Sequence, residues 1–402
     1  MQHEPARRWR ATFTAVLVVL ALALGATACG DSSSSSSSSS PAAQTTTGSS
    51  GATTKALDAL FAGDTYGKPP SDSPPPAKGK NVWVVITGLA TPSAVIWTDA
   101  DKAAAKALGW KVTIFNGQFS TSRALDGILQ AIAAKADGIV VQAVDCAPLK
   151  AGLQQARKAG IKLVANESVD CGEQDPSAQN LFDAIVKYHI NGDQTPYLGL
   201  LRYAAYAQAL YVADATHGEG KVIALKTENS FALGNLYAAF VKSLKEVCPG
   251  CQIVDDVTWT TAELGTPELR QKIEQSILRN PDANALVVPF DDAMTAGAGA
   301  AVQASGRSHD LTVVAGTGLP AAITMIREDK GLDASYGLAL GWESYAAFDA
   351  LNRLFNGEQP QPSGIGLGFY DKDHGLPPAG QAYEPPVDYK ALYEEAWKKA
   401  AS

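Results

Sequence analysis

The sequence is poor in the residues that usually build a catalytic or metal centre. Its five histidines, His3, His189, His217, His309 and His374, are scattered without ligand spacing. No GxSxG, HExxH or Walker loop occurs. A Gly-Ala-Gly at Gly297 to Gly299 sits inside a helical pattern instead of between strand and helix, which weakens a dinucleotide reading. Basic residues are also short: 33 Lys and Arg against 41 Asp and Glu give a net charge of −8, with no basic run interleaved with aromatics. A nucleic-acid partner is therefore not expected. No uninterrupted apolar run reaches the roughly 20 residues that a membrane-spanning helix needs. Accordingly, no enzyme activity, no cofactor and no metal are expected.

What the sequence does have is apolar material and a distinctive start. Hydrophobic residues make up 46% of 402, enough for about two or three domain cores. Met1 to Ala28 carries Arg7, Arg8 and Arg10, then an apolar stretch of about fifteen residues from Ala11 to Gly25, the length of a signal-peptide core. Ala26, Thr27 and Ala28 lead into Cys29. The whole resembles a bacterial lipoprotein signal, with residues 1–28 removed and Cys29 lipidated, although Ala26 stands where a large aliphatic residue is usual. Plain secretion with a free Cys29 and a retained anchor helix are the alternatives. Removing 1–28 takes away three arginines and one glutamate and moves the net charge to about −10.

Ser32 to Ser40 and the Ala/Thr/Gly/Ser stretch behind them cannot bury apolar surface. Residues 29–79 are therefore expected to form a disordered tether, stiffened by the prolines of Lys68 to Lys80. Within it, Ala56 to Phe61 (ALDALF) has the composition to dock as a helical turn.

Export permits disulfides, and the four remaining cysteines allow three pairings. Cys248 and Cys251 flank a Pro-Gly turn that can bring them within bridging distance. A thioredoxin-like motif would open a helix, whereas this one follows a helical stretch ending at Val247. Cys146 and Cys171 each follow a strand-like run, and adjacent parallel strands would place them together. Both pairs read as staples.

From Asn81 onward short apolar runs alternate with amphipathic stretches, the signature of repeated βαβ units. VWVVIT (Val82 to Thr87), KVTIF (Lys111 to Phe115), GIVVQ (Gly138 to Gln142) and KLVA (Lys162 to Ala165) make one set. KVIALK (Lys221 to Lys226), CQIVDDV (Cys251 to Val257), ALVVP (Ala285 to Pro289) and LTVVAG (Leu311 to Gly316) make a second. Thr91 and Pro92 open the helix after the first strand. The fold class expected is α/β, with two doubly wound parallel-sheet lobes. Open parallel sheets bind ligands beyond the carboxyl ends of their strands, so two facing lobes share one cleft.

GKNVWVV leading to TPSAVIW, then ALDGILQAIAAKADGIVVQAVDCAPLKAGLQQARKAGIKLV, is similar to the first lobe of the type I periplasmic sugar-binding proteins, the ribose- and galactose-binding group that serves ABC importers. GEGKVIAL, NPDANALVVPFDDAMTAGAGAAVQASGR and LTVVAGTGLPAAITMI resemble its second lobe. The resemblance spans roughly Lys80 to Gly357. It implies a hinge of three crossovers, near Asp193, near Gly337 to Leu340, and after about Gly357. The lobes are then residues 80–193 with about 339–360, and 194–338 with about 361–402.

The same resemblance places ligand contacts at fixed loops. After the first strand stand Thr91, Ser93 and Ala94, with Trp97 one turn on, either a stacking ring or core. After KLVA comes Glu167, where the family carries an acid, but the family's following arginine is absent. In the second lobe the family's arginine is replaced near Asn235 and Leu236. Asp291 stands where an Asn usually reads hydroxyls, and Asp292 is a contact or an N-cap. Thr317 replaces a ligand-binding Asp, and Leu338 a Gln. Trp259 aligns with a family aromatic and is the leading stacking candidate. Tyr336 and Trp342 are walls near the hinge or core. Missing arginines leave acids without bases, which suits a modified or larger sugar, an aromatic polyol or a cationic solute better than free ribose. The resemblance thus implies a monomeric, lipid-anchored, extracytoplasmic binding protein that hands a solute to an ABC permease, or that signals its ligand to a receptor kinase.

Overall fold

The computed structural model describes residues 47–63 and 65–402; Cys29, the signal-like stretch and the serine run lie outside them. Helix α1 (Thr47–Ala62) comes first. A first lobe then alternates β1 (Asn81–Ile86), α2 (Pro92–Leu108), β2 (Lys111–Asn116), α3 (Thr121–Ala133), β3 (Gly138–Gln142), α4 (Cys146–Lys158), β4 (Lys162–Asn166), α5 (Cys171–Gln174) and β5 (Ala184–Ile185). Its strands are all parallel, in the order β2-β1-β3-β4-β5. Every residue of β3 is buried, as an apolar run between two helical layers should be. Pro92 starts α2 with φ already set, and Gly109 ends it in the left-handed region at φ 72.

A hairpin of β6 (Tyr188–Ile190) and β7 (Asp193–Thr195) leads through α6 (Tyr197–Ala215) into the second lobe. There follow β8 (Lys221–Thr227), α7 (Phe231–Val247), β9 (Gln252–Trp259), α8 (Glu268–Arg279), β10 (Ala285–Val287), α9 (Asp291–Ala293) running on into α10 (Gly299–Ala304), β11 (Thr312–Thr317), α11 (Pro320–Arg327) and β12 (Ala334–Leu338). The parallel order β9-β8-β10-β11-β12 repeats that of the first lobe. Helix α12 (Leu340–Phe355) returns to pack on α2 and β4 of the first lobe. Strand β13 (Leu367–Asp371) then adds an antiparallel edge beside β12. The chain thus passes between the sheets near residues 188–196, at 338–340 and at 356–366.

Two bridges fix loops at the rim of the lobes. Cys146 and Cys171 join the first residues of α4 and α5, with Cα atoms 5.0 Å apart. Cys248 and Cys251 close the turn after α7. The first loop spans 25 residues, and cross-linking it stabilises the fold by about 3.5 kcal/mol in the chain-entropy account.

The expected boundaries need correction at both ends. Residues 47–63 and 65–79, placed in a disordered tether, are instead ordered along the body. Helix α1 packs on α6 and β13, with Thr54 Oγ1 donating to Asp214 at 2.7 Å. Thr65 Oγ1 accepts from Leu367 N at 2.9 Å, and Gly67 N donates to Gly364 O at 2.9 Å. Gly364, at φ 77, makes this passage possible, since a Cβ there would lie 2.5 Å from the Lys68 carbonyl oxygen. The proline stretch then lies along α12: Asn352 Nδ2 donates to Pro74 O at 3.0 Å, Asn356 Nδ2 to Pro75 O at 3.0 Å, and buried Arg353 to Asp72 O. Ala77 N donates back to Asn352 Oδ1 at 2.9 Å. Prolines lose little entropy on ordering and offer only carbonyls, which these side chains satisfy.

At the other end, α13 (Tyr389–Ala401), expected in the second lobe, packs on α12 and α2 of the first. Aromatic stacking carries it there: Tyr389 lies on Trp342 at 5.3 Å, and Trp397 on Tyr345 at 5.7 Å. Trp397 Nε1 also donates to Asp349 at 2.9 Å.

Candidate functional site

The carboxyl ends of both parallel sheets face one cavity of about 280 Å³. The first lobe supplies Thr87, Thr91, Ser93 and Trp97 after β1, Phe119 after β2, Asp145 after β3 and Glu167 after β4. The second supplies Tyr197 and Leu200 from α6, Phe231 and Leu236 from α7, Phe290 and Asp292 after β10, Thr317 from β11, and Tyr336 and Leu338 from β12. Four of the wall residues, Phe119, Ala143, Glu167 and Thr317, have non-glycine left-handed backbones, at φ 57, 55, 46 and 108. Such conformations persist only where surrounding structure imposes them, and they turn side chains off the ends of their strands.

Two acids hold the cavity shut, and they do so reciprocally. Asp145 of the first lobe accepts from Phe231 N at 2.9 Å, Ala232 N at 3.3 Å and Ser230 Oγ at 3.2 Å, at the N-terminus of α7 in the second lobe. Asp292 of the second lobe accepts from Ser93 Oγ at 2.5 Å and Ser93 N at 3.3 Å, in the first turn of α2 in the first lobe. In each lobe, therefore, the acid after the third strand sits at the N-terminus of the helix after the other lobe's first strand, where backbone N–H groups and the helix dipole favour an anion. Burial pushes the Asp292 carboxyl up to about 6 and also raises that of Asp145.

The wall acid Glu167 is electrostatically coupled to Glu343, which is wholly buried on α12. Glu343 also accepts from Trp97 Nε1 and from Tyr188 OH, each at 2.8 Å, while Tyr197 OH reaches Glu167 at 3.3 Å. Burial raises both acids, Glu343 to about 7 and Glu167 well above its ordinary value, and their mutual repulsion adds to the shift of Glu167. Two buried carboxyls that repel each other hold at least one proton near neutral pH.

Of the residues singled out from sequence, Thr91, Ser93, Trp97, Glu167 and Thr317 come together on the wall, with Asp292, Leu236, Tyr336 and Leu338. Asp291, Trp259 and Asn235 do not, and their expected roles as contacts are corrected. Asp291 is buried behind the wall and accepts from Gly318 N at 2.8 Å, Leu319 N at 2.9 Å and Ser335 Oγ at 3.1 Å, tying the loop after β11 in place. Trp259 is wholly buried and packs its ring on Phe290 at 5.9 Å, so it supports a wall residue without reaching the cavity. Asn235 turns back along α7 to donate to Phe231 O at 2.9 Å. Trp342 belongs to the α13 contact. Asp145 and Glu343 were not foreseen. A signal for Asp145 existed: VVQAVD (Val140 to Asp145) and VVPFDD (Val287 to Asp292) share a Val-Val followed by an acid at the same spacing.

A family model described as a periplasmic binding protein domain matches residues 84–359. The chain belongs to the periplasmic binding protein family. Solved structures of the same fold include the 5-methylthioribose transporter solute-binding protein of Thermotoga lettingae TMO, at 18% identity and TM-score 0.63, covering 78% of this chain and 97% of that one. An ABC transporter solute-binding protein of Actinobacillus succinogenes 130z with bound D-allose is 18% identical at TM-score 0.61, covering 73% and 98%. One of Mycobacterium smegmatis with bound glycerol is 17% identical at TM-score 0.62, covering 76% and 100%. No curated protein matches significantly in sequence. Members of this extracytoplasmic family are solute-binding proteins rather than enzymes. Among the described residues no helix is long and apolar enough to cross a membrane.

Proposed function

We propose that this binding protein captures a small solute between its lobes, reversibly and without chemistry, and presents it to an ABC permease. The observation that carries the reading is the cavity itself, walled by the carboxyl ends of both sheets and closed by hydrogen bonds that run from lobe to lobe. Such bonds form on closure and break on opening, which is what reversible capture by hinge bending requires. Bound sugars and polyols in proteins of the same fold support solute capture in general. On this reading the protein acts as a monomer, and lipidated Cys29 holds it at the outer face of the membrane through residues 29–46.

A thermal-shift screen of the purified chain with sugars, polyols, amines and aromatic acids tests capture, because a solute that binds only the folded state raises the unfolding midpoint by mass action. No shift from any class would overturn the reading. Mass spectrometry of membrane-extracted protein tests the anchor, and an unmodified Cys29 would remove it.

A further inference from the structure

We propose that the cavity takes a small organic cation with an apolar body, and that Glu167 is the group that meets its charge. This rests on the solute-binding reading above. Among the described residues, Asp145, Glu167 and Asp292 line the cavity, and no lysine, arginine or histidine does. An anionic solute would find no countercharge there. A neutral polyol would need carboxylates, amides and arginines free to pair with its hydroxyls, but Asp145 and Asp292 are already engaged by helix termini of the opposite lobe. Glu167 is the wall acid that remains.

The groups facing Glu167 are Glu343 from α12, Tyr188 from β6, Tyr197 from α6, Asp292 from α9 and Tyr336 from β12. None is cationic. The Glu167 and Glu343 pair therefore holds protons where a countercation would otherwise stand. The walls around it are aromatic from both lobes: Trp97 and Phe119 from the first, Tyr197, Phe231, Phe290 and Tyr336 from the second. Ring faces and a desolvated carboxylate are the combination that binds ammonium groups on an apolar stem. An arriving ammonium takes the place of a proton held by the pair, which leaves to solvent, so the charge of the site is the same before and after binding.

The test uses the purified full chain with benzyltrimethylammonium and phenethylammonium, against phenylacetate as the anionic counterpart and D-allose and myo-inositol as neutral polyols. The cations are expected to raise the unfolding midpoint while phenylacetate and the polyols leave it in place. Calorimetry near pH 6 in two buffers of different protonation enthalpy is expected to show a proton released to buffer on cation binding. Glu167→Gln is expected to weaken the cation at least tenfold and to abolish the release. A polyol or anion that binds where both cations fail overturns this inference and leaves solute capture standing; no shift from any class overturns both. A Glu167→Gln protein that keeps full cation affinity also overturns it. Should that variant fail to fold, the comparison of cation with phenylacetate on the unaltered chain decides the matter alone.

Discussion

Replacing Asp145 by alanine should loosen the closed form and leave the lobes folded. The carboxylate accepts three hydrogen bonds from the opposite lobe, at 2.9 to 3.3 Å. Its one bond inside its own lobe is the weaker contact to Val169 N at 3.4 Å, and it does not cap its own helix α4. Losing a helix cap costs about 1 kcal/mol, and hydrogen bonds to a charged acceptor contribute about 1.5 to 3 kcal/mol. Against this stands the desolvation of the carboxylate, visible in its raised pKa. A net closure contribution of about 1.5 kcal/mol follows, close to tenfold in the open-to-closed ratio. Affinity for any solute that stabilises the protein should fall by about that factor, mostly through faster release, and small-angle scattering should show a larger radius of gyration. Asp292→Ala should do the same through Ser93. Because the two contacts join different helix termini and share no residue, the double variant should lose about the sum. Unchanged affinity and unchanged scattering in both single variants would refute the reasoning.

Acid pH should stabilise the fold, contrary to the usual behaviour of a chain rich in carboxylates. Asp101, Asp291 and Glu343 are wholly buried, and burial raises each to about 7, so the folded chain binds protons that the unfolded chain releases above about pH 4. Their stabilisation is present at low pH and lost as pH rises through 7; the unfolding midpoint should be higher at pH 5 than at pH 8, and Asp101→Asn should flatten that difference. A lower midpoint at pH 5 would contradict it. Asn352→Ala should cost about 2 to 3 kcal/mol by leaving Ala77 N, Pro74 O and Ser73 Oγ without this partner. It should also expose residues 68–80 to limited proteolysis, and an unchanged cleavage pattern would count against the docking of that segment.

Much of the architecture is legible in the sequence because buried parallel strands need uninterrupted apolar runs, and GIVVQ, KLVA, ALVV and LTVVAG supply them. The site is legible only in part. Asp291 and Asp292 are neighbours of one chemistry, and which of them faces the cavity depends on the first turn of α9, where one is taken by Gly318 and Leu319 and the other by Ser93. Trp259 ends a strand whose side chains alternate, so an aromatic at the expected position still turned inward. Composition misled at residues 47–63 and 65–79, because prolines that read as a stiffened part of a disordered tether are matched by Asn352, Arg353 and Asn356, nearly the whole domain away in sequence. Window-based reasoning holds no information about such a partner.

That docked segment also sets an order on how the molecule is made. Thr65 meets Leu367 across 302 positions, and Asp72 meets Arg353 across 281. Residues 65–77 are synthesised long before α12 and β13 at the far end of the chain and must wait for them. Contacts of such sequence separation form slowly, since the intervening chain has to be closed before they contribute. Both sheets can assemble earlier, so the final event of maturation is the laying down of the oldest part of the chain across lobes already built, and a molecule caught before that event is joined by its hinge strands without this second fastening.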